Sequence, residues 1–128
     1  MKKIFIILFC LSLFAFGENN LTVRCIGVHD GDTITVLTNE NNQLKIRLNG
    51  IDAPELHQDF GQRSRQYLAS LVFGKTIEIV PISLDQYGRT VAIILLGNEN
   101  INYKMVAAEM AWHYTKYSEK IGGRFLYS

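Results

Sequence analysis

Short stretches of alternating apolar and polar residues recur between residues 21 and 96, and turn-forming residues separate them. In residues 33–37, for example, Ile34 and Val36 alternate with threonines. A period of two is typical of half-buried strands. The pattern predicts five strands, at residues 21–28, 33–37, 44–48, 76–82 and 90–96.

A longer apolar spacing follows the third strand and indicates a helix. Asp59, with a glutamine three residues later, has the form of an acidic N-cap. Leu68, Leu71 and Val72 then recur at helical spacing, and Gly74 suits the C-terminal stop. We therefore expect the first helix between residues 59 and 74.

A second helix is expected to begin near Asn102 and to turn Val106 and Met110 toward the core. Five strands with a helix between the third and the fourth is the element order of an OB-fold barrel. The sequence therefore predicts an α+β fold that is mainly β, a five-stranded OB-fold barrel with two helices.

The first residues differ in composition from the rest of the chain. Lys2 and Lys3 precede an apolar run at residues 4–16, and Ala15 and Gly17 flank one larger residue at its end. This is the form of a secretory signal peptide, and the run falls short of the roughly 20 residues that span a membrane. We predict a signal peptide at 1–17 and a mature domain at 18–128, secreted or periplasmic, with no membrane attachment after cleavage.

Charge and cysteine content restrict the function classes. Removing two lysines with residues 1–17 leaves 11 basic residues against 12 acidic ones, a net charge of about −1. The basic excess usual in nucleic-acid-binding domains is therefore missing, so phosphate recognition would need locally placed arginines. Cys25 is the single cysteine of the predicted mature chain, which excludes an internal disulfide, and its apolar context predicts a core residue.

Two segments place acidic residues at strand ends. The sequence Asp-Gly-Asp-Thr at 30–33 permits a tight turn whose second carboxylate opens a strand, and a plain hairpin turn is the alternative. In the second segment a strand bearing Arg47 leads to Asp52 and Glu55, with Pro54 between them. Calcium binds several oxygens, so this pair suits one ligand and one neighbouring base, while solvated acids at a strand exit are the alternative.

Two further segments carry aromatic and basic residues. At 85–89, Tyr87 and Arg89 sit in a turn and could present base stacking and a bidentate phosphate contact, or simply form a hairpin. Residues 112–117 interleave aromatics with a lysine. That segment could stack on a nucleotide base or pack as a helix end on the barrel.

The acidic turn at 30–33, the Asp-Ala-Pro-Glu that follows Arg47, and the Asp-Gln-Tyr-Gly-Arg at 85–89 occur in this order and at compatible spacing. Together they resemble the staphylococcal nuclease (thermonuclease-like) family. The segment at 111–118 is also similar to bacterial members. The resemblance covers residues 21–118.

The resemblance implies a calcium site. Asp32 and Asp52 match the carboxylates that bind calcium in the family, and Ala53 falls where a backbone carbonyl completes the site. Many members have threonine at that position, but a carbonyl ligand does not depend on the side chain. Asp30 matches an acid near the site that is not a ligand.

The resemblance also implies catalytic roles. Glu55 matches the general base for the attacking water, and Arg47 and Arg89 match the two arginines that clamp the phosphate. Aromatic residues around the bound nucleotide correspond loosely to Tyr87, Tyr114 and Tyr117.

The expected function is that of an exported, calcium-dependent nuclease that hydrolyses phosphodiester bonds of DNA and RNA. We expect a monomer with no stable protein partner. The alternatives are a non-catalytic OB-fold module that binds nucleic acid or a protein, and a truncated, inactive nuclease. The second alternative arises because residues 119–128, with two adjacent glycines, do not suit the family's third, C-terminal helix, which we expect to be missing.

Overall fold

The computed structural model describes residues 20–114. Its strands are β1 (Leu21–Asp30), β2 (Thr33–Leu37), β3 (Gln43–Leu48), β4 (Ile51–Asp52), β5 (Thr76–Leu84), β6 (Thr90–Leu96), β7 (Glu99–Asn100) and β8 (Trp112–His113). Its helices are α1 (Gly61–Val72) and α2 (Ile101–Ala107). The predicted signal peptide at 1–17, Tyr117 and the C-terminal segment at 119–128 lie outside the described residues.

Five strands close into a barrel. β1 pairs antiparallel with β2 on one side and with β5 on the other, β2 continues to β3, and β5 continues to β6. A parallel pairing of β3 with β6, from Ile46 opposite Thr90 to Leu48 opposite Ala92, completes the circle. The predicted OB-fold barrel with two helices is confirmed.

The barrel interior is filled by every second residue of its strands, as the period of two predicts. Cys25 is fully buried among them, which confirms its prediction as a core residue. Helix α1 packs against β1 and contributes Leu68 and Val72 to the same core. The strand residues in this core include Ile34, Val36, Ile46, Leu48, Ile77, Ile79, Ala92 and Ile94.

Two strands run two residues beyond their predicted ends, and both contain register irregularities that let a strand bend and continue. β1 extends to Asp30, with breaks in its register between Cys25 and Gly27 and between Val28 and Asp30. β5 extends to Leu84 across an irregularity that follows Pro81. An extra residue in one strand increases the local twist, which a small closed barrel requires.

The start of α1 differs from the prediction. Asp59 is not the N-cap: the capping position is Phe60, with φ of 67° and no side-chain hydrogen bond. The helix begins instead with backbone contacts, because the amide of Ser64 donates to the carbonyl of Phe60 at 2.9 Å. The acid-then-glutamine pattern therefore marked the helix start only to within two residues.

Helix α2 begins at Ile101, close to the predicted start, and the side chain of Asn100 caps it by accepting from the amide of Tyr103. It ends at Ala107, so Met110 lies beyond the helix. Val106 and Met110 are half-buried and both pack against the core, as predicted. Neither helix in the described part of the chain is long and apolar enough to cross a membrane.

Candidate functional site

Asp32 lies in the turn between β1 and β2 and is 6% exposed. Its Oδ2 accepts a hydrogen bond from the amide of Ala53 at 2.9 Å, and its Oδ1 accepts from the hydroxyl of Thr33 at 2.9 Å. Its own amide donates to Asp30 Oδ1 at 3.1 Å. The turn that carries the first acid is therefore tied to the segment that carries the second.

The turn requires glycine at position 31. A Cβ there would collide with the side chain of Ser64 on α1 and would lie 2.9 Å from the Cβ of Ala53. The absence of a side chain at Gly31 thus lets the acidic turn approach both α1 and the start of the next loop.

Arg47 joins the two acidic segments. Its Nη2 donates to Asp52 Oδ1 at 3.0 Å, and its Nη1 lies 3.6 Å from Asp32 Oδ2. Nη1 also donates to the carbonyls of Leu48 at 3.0 Å and Ile51 at 2.8 Å. The β2–β3 register places Arg47 opposite Thr33, next to Asp32. Three of the five guanidinium N–H groups are thus engaged, which leaves donors for a two-point contact with another ligand.

Burial raises the pKa of Asp32 to about 7, because a low-dielectric site disfavours the charged carboxylate. The guanidinium of Arg47 acts in the opposite direction, and the neighbouring Asp30 adds to the increase. One arginine therefore does not fully compensate the burial of this acid.

Arg89 is held by Asp85 at the end of the β5–β6 hairpin. Its Nε donates to Asp85 Oδ2 at 2.7 Å, and the amides of Tyr87 and Arg89 both donate to Asp85 Oδ1 at 2.9 Å. The guanidinium stacks over the ring of Tyr87 at 5.3 Å. Desolvation opposes ionisation of Asp85, but the hydrogen bonds from Arg89 and Tyr87 outweigh it and lower the pKa of that carboxyl.

Barrel closure brings the two arginines together. In the parallel pairing, Arg47 of β3 lies opposite Val91 of β6, two residues after Arg89. Both arginines line one groove of about 790 Å³ with Asp52. The other lining residues include Tyr87 and Tyr114.

The predicted substrate aromatics are placed differently from one another. Tyr87 is 73% exposed at the groove, where a ring is available for stacking. Tyr114 also lines the groove and is half-buried, and its amide donates to the carbonyl of Gly50 at 2.8 Å. Tyr117 lies outside the described residues.

Glu55 stands apart from this cluster. It does not line the groove, its side chain is 70% exposed, and its Oε1 lies 3.7 Å from Nδ1 of His57. The structure therefore brings Arg47, Arg89 and Asp52 to one groove. Asp32 contacts this group through Arg47 and the amide of Ala53. The predicted base, Glu55, lies outside the groove, in the loop that follows β4.

The family model described as "Staphylococcal nuclease homologue" matches residues 45–124, more than half of the chain. The chain belongs to the staphylococcal nuclease family. The resemblance seen in the sequence motifs is confirmed.

Individual relatives agree with this assignment. An "Uncharacterized endonuclease" of Haemophilus influenzae is 42% identical over 106 residues, which cover 83% of this chain and 60% of that protein. A "Micrococcal nuclease" of Shigella flexneri is 40% identical over 103 residues, 73% of this chain and 59% of that protein. A "Probable staphylococcal-like nuclease" of Oryza sativa subsp. japonica is 41% identical over 76 residues, 59% of this chain and 20% of that protein. The chain thus spans about 60% of the length of its bacterial relatives.

Two residues that shape this site in the staphylococcal nuclease domain were assigned no role from the sequence. Asp85 fixes Arg89, and an acid at the start of a turn, able to accept from amides farther along it, is a recognisable signal. Asn102 is buried on α2, and its side-chain amide donates to the carbonyls of Asn49 at 3.0 Å and Ala92 at 3.1 Å. This ties the loop before β4 to the helix, and no sequence pattern indicates it.

The donor set fits a calcium ion. Within residues 20–114, no group of three or more His, Cys, Asp or Glu side chains is arranged to hold a metal. Two carboxylates, those of Asp32 and Asp52, do converge on a single cation, the Arg47 guanidinium. Both supply the hard oxygen ligands that calcium prefers, and backbone carbonyls and water would provide the rest.

Proposed function

We propose that this chain is an exported, calcium-dependent nuclease that hydrolyses phosphodiester bonds of DNA and RNA. The observation that carries the proposal is the groove in which Arg47 and Arg89 lie together beside Asp52. Two guanidiniums that line one groove suit the oxygens of a phosphodiester, and each can donate in a planar, two-point manner.

The arginines bind and orient the phosphate. Arg47 retains free N–H groups after its contacts with Asp52 and two carbonyls, and Arg89 has Nε engaged by Asp85, which leaves its terminal nitrogens for a ligand. Because both guanidiniums are already fixed, little reorganisation is needed as negative charge develops on the phosphate. Tyr87 and Tyr114 supply ring faces for the adjacent nucleotide.

Asp32, Asp52 and the backbone of Ala53 would hold the calcium ion. Bound there, the ion would polarise a phosphate oxygen and neutralise part of its charge. With calcium and two arginines against Asp32, Asp52 and Glu55, the assembled site has a small positive charge. Without calcium these acids would repel the substrate, so we expect hydrolysis to require the metal.

Glu55 is proposed as the general base that takes a proton from the attacking water. Its carboxylate is 70% exposed to solvent, and a positioned general base contributes about 10²–10⁴-fold to a rate. Glu55 lies in the loop that follows β4, three residues after Asp52, so its side chain would have to turn toward the groove when substrate is bound.

The test is to incubate the purified protein with DNA and with RNA in calcium, in magnesium or in chelator. We expect cleavage of both polymers in calcium only. Glu55→Gln should lose about 10²-fold or more in kcat while its substrate affinity is retained. Glu40→Gln, the same change at an exposed turn, is the matched control. Binding of nucleic acid without cleavage in calcium would favour a non-catalytic binding module, and equal cleavage in chelator would exclude the mechanism.

The proposal of export rests on the resemblance of residues 1–17 to a signal peptide. We expect protein recovered outside the cytoplasm of an expressing bacterium to begin at Glu18. Mass spectrometry of the intact protein measures this. A product that retains Met1–Gly17 would contradict the cleavage.

A further inference from the structure

In the loop between β4 and α1, the side chain of Gln58 bonds back to the backbone of Glu55. Gln58 Oε1 accepts a hydrogen bond from the amide of Glu55 at 2.7 Å. The amide of Gln58 donates to the carbonyl of Glu55 at 2.8 Å. Both backbone polar groups of Glu55 are therefore engaged by the same residue.

Gln58 is in turn connected to the first residue of α1. The amide of Gly61 donates to the carbonyl of Gln58 at 2.9 Å. Gly61 is buried, and a Cβ at that position would collide with the carbonyl oxygen of Glu55 and lie 2.8 Å from its carbonyl carbon. The backbone of Glu55 thus packs directly on the start of the helix, at a contact that admits only glycine.

The helix start is itself anchored to the body of the domain. Ser64 is fully buried, and its hydroxyl donates to the carbonyl of Met110 at 2.8 Å. Leu68 and Val72, farther along α1, lie in the core. The position of the Glu55 backbone is therefore set by a fixed element, whereas the Glu55 side chain is 70% exposed.

We propose that Gln58 and Gly61 are positioning residues that fix the backbone of Glu55 against α1. The Cα of Glu55 then has a fixed position from which its carboxylate extends to the attacking water. This inference rests on the proposed function of Glu55 as the base. A displacement of about 1 Å at a reacting group can lower a rate by about 10²-fold, so removal of the contacts should affect kcat. Neither residue lines the groove of Arg47 and Arg89, so KM should be unaffected.

The first test is the kinetics of Gln58→Ala and Gln58→Glu. We expect Gln58→Ala to lose about 10- to 100-fold in kcat with KM within about twofold of wild type. Gln58→Glu retains an oxygen that can accept from the Glu55 amide, so it should recover most of that loss. Gln66→Ala removes an exposed glutamine from α1 and is the matched control, with kinetics expected to equal wild type. An unchanged kcat in Gln58→Ala, or an equal loss in Gln58→Glu, would overturn the proposal.

Gly61→Ala perturbs the same contact from the helix side. The added methyl group must displace the carbonyl of Glu55, so we expect a loss of kcat of similar size, again without a change in KM. Wild-type kcat in this variant would contradict the positioning role of Gly61.

Hydrogen exchange gives a measurement that does not depend on activity. The Glu55 amide should be protected in wild type and in Gln58→Glu, and should exchange at least about tenfold faster in Gln58→Ala. Faster exchange with unchanged kcat would overturn the positioning proposal and leave the nuclease function intact. Absence of hydrolysis by the wild-type protein in calcium would instead overturn the proposed function, and the positioning role with it.

Discussion

Asp32 is the residue at which burial and charge conflict most strongly. It is held by the amide of Ala53 and the hydroxyl of Thr33, yet its pKa is raised to about 7 because burial disfavours the ionised form. A carboxylate in such a site is stabilised further by any additional cation. The same burial that makes an ionised Asp32 costly in the metal-free fold favours the calcium binding proposed above.

This conflict predicts a pH dependence of stability in chelator. The pKa of Asp32 in the folded state, about 7, lies above the ordinary value of 3.8. At a pH between these two values, Asp32 is therefore protonated in the folded state and ionised in the unfolded state. The free energy of unfolding should therefore fall as pH rises from about 4 to about 7, by an amount on the order of a few kcal/mol.

Urea denaturation of wild type and Asp32→Asn across this range measures the effect. The stability of Asp32→Asn relative to wild type should increase steadily from pH 4 to pH 7. Asp59→Asn removes an exposed carboxylate and controls for the change in net charge. Parallel curves for wild type and Asp32→Asn would contradict the raised pKa.

Replacement of Arg89 should change the kinetics of hydrolysis. In Arg89→Lys the ammonium cannot reproduce the bond from Nε to Asp85, the stacking on Tyr87 and a planar phosphate contact together. We expect kcat/KM to fall by about 10²–10³-fold. Arg24→Lys, the same change on an exposed position of β1, should leave the kinetics unchanged. Wild-type kinetics in Arg89→Lys would exclude the phosphate-clamp role.

Individual side chains could be predicted from the sequence to the extent that strand register determines their neighbours. Arg47 and Asp52 meet because an alternating strand ends between them, and the pattern of apolar residues shows that end. The burial of Asp32 depends on how distant segments pack, so no local pattern could predict it. The contact of Asp85 with Arg89 lies within one turn, and the acid at the start of that turn is its sequence signal.

At the scale of elements, the buried side chain of Asn102 connects α2 to β6 and to the loop before β4. Asn102 is 5% exposed, accepts from the amide of Ile94 at 3.0 Å and donates to the carbonyls of Asn49 and Ala92. The helix is only seven residues long. Its orientation against β6 therefore depends on these bonds as well as on Ile101 and Met105 in the core.

Asn102→Ala should destabilise the domain by about 2–3 kcal/mol, because the buried amide of Ile94 loses its acceptor. Chemical denaturation measures the change. Asn98→Ala, at an exposed turn, is the control and should lie within about 0.5 kcal/mol of wild type. A loss in Asn102→Ala no larger than in the control would show that α2 is held by apolar packing alone.

The long elements were predictable because each carries its own periodicity. The two-residue strands β4, β7 and β8 were not, since two residues cannot display a period. The start of α1 was misplaced for a related reason: Asp59 has the composition of a cap, but the left-handed conformation of Phe60 sets the helix start, and no rule of composition indicates phenylalanine there.

For the whole molecule, ligand binding and stability should be linked. An ion or nucleotide that binds only the folded site stabilises the protein by about 2.7 kcal/mol at 100 times its Kd. For a domain of this size we expect calcium with a nucleotide to raise Tm by roughly 10 °C. A thermal melt in calcium, in chelator and with the nucleotide measures this. Identical Tm values under all conditions would contradict the calcium site.

The parallel pairing of β3 with β6 joins Ile46 to Thr90, 44 positions farther along the chain. Arg47 and Arg89 consequently acquire each other as neighbours only when that pairing forms. Under the proposed activity, binding of a phosphodiester by both arginines would therefore require a closed barrel. A substitution that opens the β3–β6 pairing should separate the two guanidiniums even though both side chains are intact.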